Sequence, residues 1–284
     1  MGSSDAAALH AANAGGMALC TLVGIEGSFS RRIGAQIAVA PDGRTIGSLS
    51  DGCLERQLAA DAAATDVPIL RRYGRGSPLV DFRLPCGGGL DILIDPRPDR
   101  AALAAAAGEL VARHGTVMPL PLPPGSTGSL LASRRYIPSL RVLVFGEGPE
   151  FSAFAHLATA MGAEVEAHAR ADSTGHGLAL GRVPPGLVVD AWTAILLLFH
   201  DHEWERALLG WAVTTPAFFI GAQGGGPARG ARTAMLRTEG ASEAQIGRIR
   251  SPVGLIARTR DPETLALSVL AEIVADYEGL HPHR

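Results

Sequence analysis

The sequence has no apolar run long enough to span a membrane and no surplus of basic residues. A transmembrane helix needs about 20 consecutive apolar residues, so we expect no membrane span. The formal net charge of −3 argues against a general nucleic-acid binder, which carries a basic stripe on its surface. The first residues lack the basic start and apolar centre of a signal peptide, which predicts a cytoplasmic protein.

Cysteine is also scarce, with only Cys20, Cys53 and Cys86 in 284 residues. An odd number of cysteines without a CxxC pair argues against a disulfide framework and a structural zinc site, and it fits a reducing compartment. Because Cys20 lies inside a predicted strand, we assign it to the core.

The length and composition predict two domains of ordinary size, since a single core seldom grows beyond about 250 residues. A stretch rich in proline and glycine, 118–128, marks the break between them. We therefore predict an α/β protein. It has a small N-terminal α+β domain over 1–114, a linker over 115–139, and a Rossmann-like domain with a parallel sheet over 140–284.

The most informative stretch is 47–55, with the sequence GSLSDGCLE, which joins a short strand to an Ala-rich helix. Ser50 and Asp51 are good N-cap residues, and Gly52 lets a ligand approach the backbone. Cys53 then lies at a helix N-terminus, where the dipole and the unpaired N–H groups favour an anion. The alternative is a buried, inert cysteine beside an ordinary cap.

Two other segments of the N-terminal half are rich in glycine. The loop 24–34 carries Ser28, Arg31 and Arg32, and the segment 84–89 places Cys86 beside three consecutive glycines. Flexible turns are the commoner use of such glycines. Two glycine-flanked cysteines in one small domain nevertheless suggest one shared site.

The second half begins with a βαβ pattern, in which an apolar strand over 141–145 runs into Gly146, Glu147 and Gly148. This order is typical of nucleotide-binding folds, although Phe151 replaces the third glycine of the usual fingerprint. The second strand is followed by His168 and Arg170 instead of an acid that would hold a ribose hydroxyl. The pattern therefore predicts the fold and weak binding of NAD.

A very apolar strand over 193–199 ends in His200, Asp201, His202 and Glu203. Ligands of open parallel sheets bind beyond the carboxyl ends of the strands, where such side chains can bind a metal or move protons. The alternative, which we slightly favour from the residues alone, is that Asp201 caps the next helix and the histidines are solvated.

Taken together and in this order, the motifs resemble the XdhC/CoxI family of accessory proteins for molybdenum hydroxylases such as xanthine dehydrogenase. The resemblance runs from about residue 14 to residue 277. It is carried by the segments 27–35, 47–55, 86–88, 146–149, 199–201, 252–255 and 266–273.

The resemblance implies a chaperone without catalysis of its own. Such a protein binds the molybdenum cofactor (molybdopterin), protects it during sulfuration and delivers it to an apo molybdenum hydroxylase, with a cysteine desulfurase and a second copy of the chain as further partners. Cys53 is the expected metal ligand. The expected cofactor-binding residues are Ser28, Arg31, Arg32, Ser50, Asp51, Gly52, Cys53, Glu55, Cys86, Gly87, Gly88, Gly146, Gly148, His200 and Asp201.

Two other hypotheses remain open. The first is an NAD(P)-dependent oxidoreductase that uses the Rossmann-like half, with His168 and Arg170 directed at the 2′-phosphate of NADP. The second is a metal-dependent hydrolase built on residues 200–203, for which no distant third ligand stands out. We rank both below the chaperone.

Overall fold

A computed structural model describes residues 3–50, 52–78, 87–126, 128–170 and 177–280. The chain divides into two units between Pro138 and Ser139, each with its own sheet. The α/β class predicted from the sequence is confirmed, with an antiparallel sheet in the first unit and a parallel sheet in the second.

The N-terminal unit is built on a five-stranded antiparallel sheet with the order β3-β2-β1-β5-β4. Its strands are β1 (Ala18–Glu26), β2 (Gln36–Val39), β3 (Thr45–Gly47), β4 (Ile69–Gly74) and β5 (Gly89–Asp95). Its helices are α1 (Ser3–Ala14), α2 (Cys53–Ala63) and α3 (Arg100–Val111).

Alternation along β1 and β2 divides the apolar side chains of this unit between the two faces of the sheet. Cys20 and Ile37 face the core shared with Leu54 and Leu58 of α2. Leu19 and its neighbours pack instead with residues of α1 and α3. Cys20 is fully buried, as predicted, and burial raises the pKa of its thiol to about 12, with Asp61 and Asp95 adding to the shift.

The segment predicted to be a linker, 115–139, carries two strands, β6 (Thr116–Pro119) and β7 (Ser133–Tyr136), which pair antiparallel. Met118 and Tyr136 are buried in the same core as α1 and α3. The Tyr136 hydroxyl donates to Gln36 Oε1 at 2.7 Å. Edge strands tolerate proline, because their outer side needs no N–H donors. A proline-rich segment can therefore form β6 and β7 and pack on the N-terminal unit.

The C-terminal unit contains a five-stranded parallel sheet with the order β12-β11-β10-β8-β9. The predicted apolar strand β10 lies in its centre and is buried along its whole length. The strands are β8 (Arg141–Gly146), β9 (Glu164–Ala169), β10 (Thr193–Leu198), β11 (Phe219–Ala222) and β12 (Ile249–Arg250).

The helices of this unit connect the strands and cover the sheet. The predicted βαβ unit is present, since β8 and β9 pair in parallel and α4 connects them. The helices are α4 (Gly148–Ala160), α5 (Glu205–Ala212), α6 (Gly226–Thr238), α7 (Glu243–Ile246) and α8 (Pro262–Gly279), with a 3₁₀ turn at His202–Trp204. Within the described ranges, no helix combines the length and hydropathy that a membrane crossing requires.

Candidate functional site

The segment 47–56, which we call the α2 segment, joins β3 to α2 as predicted, and α2 begins at Cys53. The N-cap prediction was wrong for Ser50, because Gly52 is the N-cap and no side chain caps the helix from that position. Gly52 has φ = 100°, a left-handed conformation that glycine adopts without strain. Asp51 lies outside the described residues.

Glu55 organises the α2 segment. Its Oε1 accepts the backbone N–H groups of Leu49 at 2.9 Å and Ser50 at 2.6 Å, and its Oε2 accepts that of Gly52 at 2.8 Å. Burial disfavours the charged form, but the backbone donors outweigh it and lower the pKa of Glu55. The carboxylate therefore holds the loop in shape and leaves little capacity for a ligand.

Cys53 is exposed in the first turn of α2, and a cation lies beside it. Arg56 Nη2 is 3.2 Å from Cys53 Sγ, so the guanidinium donates to the sulfur. Arg56 is not among the site residues expected from the sequence. Its signal was the i, i+3 spacing from Cys53, which places both side chains on one helix face.

The basic loop 24–34 reaches the α2 segment through Arg31, whose Nε donates to the Ser48 carbonyl at 3.2 Å. Ser28 is exposed and Arg32 is half-buried in the same loop. The structure thus places Arg31 against the segment that carries Cys53.

A cleft of about 660 Å³ lies beside this segment in the N-terminal unit. Its walls combine backbone, hydroxyl groups and one guanidinium, while both oxygens of Glu55 are engaged by N–H groups. The lining residues are Gly43, Thr45, Gly47, Ser48, Ser50, Gly52, Glu55, Arg56 and Ala59.

The second glycine-rich segment meets the basic loop at a different point. A Cβ added to Gly27 would lie 3.5 Å from the Gly88 Cα, so the two backbones approach closely. Gly87 has φ = 67°, and the Gly88 carbonyl accepts the N–H of Arg75 at 2.8 Å. Cys86 lies outside the described residues, so a site shared by Cys53 and Cys86 stays a prediction.

In the C-terminal unit, the glycines between β8 and α4 are explained by close packing at Gly146 and by backbone conformation at Gly148. A Cβ on Gly146 would lie 2.4 Å from the Leu198 carbonyl of β10, and Gly148 has φ = 82°. Arg170, expected to face a phosphate of NADP, is instead paired with Glu147 at 3.0 Å and stacks on the Trp204 ring at 4.7 Å. Its charge is thus compensated within the protein.

The side chains after β10 have separate roles. Asp201 accepts the N–H of Glu203 at 3.1 Å and so caps the 3₁₀ turn, which is the interpretation that the residues alone favoured. His200 is exposed, with Nε2 3.7 Å from Glu150 Oε2. Among the described residues, no group of three or more His, Cys, Asp or Glu side chains could hold a metal ion.

His202 instead joins a buried ion pair. Arg232 donates through Nε and Nη2 to the two carboxylate oxygens of Glu205, at 2.6 and 2.7 Å. It also donates through Nη1 to Ser251 at 2.7 Å, and His202 Nδ1 lies 3.2 Å from Glu205 Oε2. These contacts link the segments that follow the parallel strands, so the ion pair has a structural role.

The comparisons with known proteins give one family match in each of the two units. Residues 10–74 match the model described as the XdhC and CoxI family, and residues 142–273 match the model described as the XdhC Rossmann domain. A relative named as the molybdenum cofactor insertion chaperone PaoD, from Escherichia coli (strain K12), is 33% identical over 276 residues. The match covers 92% of this chain and 83% of the relative.

A solved structure extends the likeness to the whole fold. It is described as a xanthine dehydrogenase from Bacillus halodurans, has a TM-score of 0.73 at 19% identity, and the match covers 97% of this chain and 96% of that one. At this identity the likeness concerns the fold alone. The fold is that of a two-unit protein with a Rossmann-like C-terminal unit. The relative and the two matching models show that the chain belongs to the XdhC/CoxI family.

Proposed function

We propose that this protein binds the molybdenum cofactor as cargo in its N-terminal unit and delivers it to a molybdenum hydroxylase. The observation that carries the proposal is exposed Cys53, with the Arg56 guanidinium 3.2 Å from its sulfur, beside the cleft that Arg56 lines. The relative named as a molybdenum cofactor insertion chaperone supports the same role.

The chemistry of the α2 segment fits this cargo, which is a pterin dithiolene with a phosphate and a molybdenum centre. Cysteine sulfur is a soft ligand that suits the metal. The guanidiniums of Arg31 and Arg56 suit a phosphate or the polar edge of a pterin. The cleft volume of about 660 Å³ lies in the range of small-molecule sites, about 300–1,000 Å³.

Within this proposal the side chains have distinct roles. Cys53 and Arg56 contact the cargo, and Arg31 positions the basic loop against Ser48. Glu55 keeps the loop amides in place. The other expected contacts, from Ser28, Arg32, Gly87 and Gly88, follow if the cargo extends along the basic loop.

The client we propose is a hydroxylase of the xanthine dehydrogenase type, which receives the cofactor during or after sulfuration. A cysteine desulfurase is then a second partner, and a homodimer is the proposed assembly. Affinity purification of the tagged chain from cells that make the cofactor tests both partners. Recovery of neither the apo hydroxylase nor the desulfurase would contradict this part of the proposal.

The cargo itself is tested by molybdenum and pterin content after purification from such cells. Cys53→Ala should lower retained cofactor at least tenfold, and Arg56→Gln should lower it several-fold. Arg71→Gln, which removes an exposed cation of the same unit that does not line the cleft, is the matched control and should retain wild-type content. Equal retention by Cys53→Ala and wild type would make Cys53 structural.

A further inference from the structure

A second cavity lies in the N-terminal unit, and it shares no lining residue with the cleft beside α2. Its volume is about 380 Å³, which is sufficient for a small ligand. We call it the α3 cavity. It is lined by the sheet residues Leu19, Thr21, Leu93 and Asp95, by Ala102 and Leu103 of α3, and by the segments 97–99 and 118–121 with Pro68.

The α3 cavity has mainly apolar walls but contains two deeply buried polar side chains. Thr21 is 1% exposed and Asp95 is 9% exposed. Since Leu19 pairs with Asp95 and Thr21 with Leu93, these four side chains share one face of the sheet. Thr21 and Asp95 are diagonal neighbours on that face, about 7–8 Å apart, and both line the cavity.

The hydrogen bonds around Thr21 leave its hydroxyl proton for the cavity. Tyr136 donates to Gln36 Oε1 at 2.7 Å, and this contact orients the amide so that Gln36 Nε2 donates to Thr21 Oγ1 at 2.9 Å. The hydroxyl of Thr21 therefore acts as an acceptor toward Gln36. Within the described residues its own proton has no recorded acceptor, although a buried hydroxyl ordinarily finds one.

Asp95 can accept a hydrogen bond in the same cavity where Thr21 can donate one. One carboxylate oxygen, Oδ1, accepts the N–H of Arg97 at 3.2 Å, and that is the single hydrogen bond recorded for this side chain in the described part of the chain. The Arg97 guanidinium is paired with Asp66 and does not neutralise Asp95. The other oxygen, Oδ2, is accessible from the cavity that Asp95 lines, so a bound ligand can donate to it in place of water.

We propose that the α3 cavity binds a small neutral molecule with an apolar body and one polar group, an amide or an alcohol, that donates to Asp95 and accepts from Thr21. An anionic ligand is opposed by Asp95 and Asp99, which both line the cavity. An ammonium group would have to give up its water to pair with Asp95 among apolar walls, and the desolvation cost of such a pair offsets its attraction. The raised pKa of the Asp95 carboxyl, caused by burial, agrees with a neutral ligand.

The test is calorimetry and ligand-observed NMR with four probes of similar size: benzamide, toluene, benzoate and benzylamine. Benzamide should bind the full chain, toluene should bind about tenfold more weakly, and benzoate should not bind. Tighter binding of benzylamine than of benzamide would overturn the neutral class. No saturable binding of benzamide up to its solubility limit would overturn the site.

Three variants locate the binding. Asp95→Asn keeps an oxygen for the Arg97 N–H but replaces the second acceptor with an NH₂ group. It should lower the affinity for benzamide about tenfold. Ala102→Phe fills the cavity and should abolish binding. Glu109→Gln, an exposed change on the same helix, is the control and should bind as wild type does. Wild-type affinity in Asp95→Asn and Ala102→Phe would refute the assignment.

This site is distinguishable from the proposed cargo site. Cys53→Ala should bind benzamide with wild-type affinity, because Cys53 does not line the α3 cavity. Loss of benzamide binding in Cys53→Ala would show that the two sites are not separate, and would overturn the inference.

Discussion

Glu55 shows how one carboxylate can shape a ligand-binding segment without presenting a charge to the ligand. It accepts the backbone N–H groups of three residues that precede α2, namely Leu49, Ser50 and Gly52. The same contacts fix the loop against which Arg31 donates to Ser48. The geometry of the α2 segment thus depends on a residue whose own oxygens are committed to the backbone.

Glu55→Gln should lower the free energy of unfolding by about 1.5–3 kcal/mol at neutral pH, because one side-chain oxygen is replaced by a donor facing backbone donors. The pKa of Glu55 is lowered in the folded state, so its contribution is present above the unfolded pKa and lost as the pH falls through the folded value. Urea unfolding of wild type and variant at neutral and acidic pH tests both points. A difference that persists undiminished in strong acid would contradict this account.

Asp95 is expected to show the opposite pH dependence. Burial raises the pKa of its carboxyl, so its stabilising contribution is present below the unfolded pKa and is lost as the pH rises through the folded value. Asp95→Asn removes this titration and keeps the acceptor for Arg97. The stability of the variant relative to wild type should therefore rise as the pH increases above the unfolded pKa of aspartate, about 3.9. Thermal melts from acidic to neutral pH test this, with Val111→Ala, an exposed change on α3, as the control that should show no trend.

At the scale of elements, the strand–loop–helix order around α2 could be predicted because hydrophobic alternation and glycine positions mark it. Residue type alone could not predict the N-cap, since Ser50 is as good a cap as its neighbours. The position is marked instead by the spacing between Gly52 and Glu55, which is typical of a capping box. The Arg56–Cys53 contact depends on a rotamer, which spacing permits but does not specify.

The turn between β8 and α4 shows the limit of a glycine motif. Gly146 is required by the close approach of β10, and Arg170 is engaged by Glu147 and Trp204. Glu147 and Glu150 also place carboxylates at the N-terminus of α4, where a dinucleotide fold would hold phosphates. A glycine pair in this setting supports the βαβ packing whether or not a nucleotide binds.

We therefore expect the C-terminal unit to bind NAD and NADP poorly or not at all. Titration calorimetry of the full chain with each nucleotide is the measurement. Glu147→Gln/Glu150→Gln is a useful companion, because removing two carboxylates should raise any weak phosphate affinity. Micromolar binding of either nucleotide by wild type would restore the oxidoreductase hypothesis.

At the scale of the whole molecule, the main difference from the sequence-based expectation lies in 115–139. Composition identified this segment as a break, but composition does not report contacts between residues far apart in sequence. Tyr136 bonds to Gln36, and Arg134 Nε donates to the Gly34 carbonyl at 2.6 Å, each across 100 positions. These contacts attach β7 to the N-terminal unit and put the division between the units after Pro138.

Fragments that end on either side of this segment test the boundary. Residues 1–138 should fold alone, with dispersed amide resonances and cooperative unfolding, and so should residues 139–284. Residues 1–114 should be markedly less stable, because that fragment loses the buried Met118 and Tyr136 side chains from the core with α1 and α3. Deleting a large buried side chain costs about 2–5 kcal/mol, a large share of the stability of a small domain.

Tyr136→Ala in the 1–138 fragment separates this cause from simple shortening. It should reproduce much of the loss, whereas Val117→Ala, at an exposed position of β6, should cost little. Equal stability of the 1–114 and 1–138 fragments would mean that β6 and β7 add nothing to the first unit. The segment 115–139 would then act as the linker that its proline and glycine content predicts.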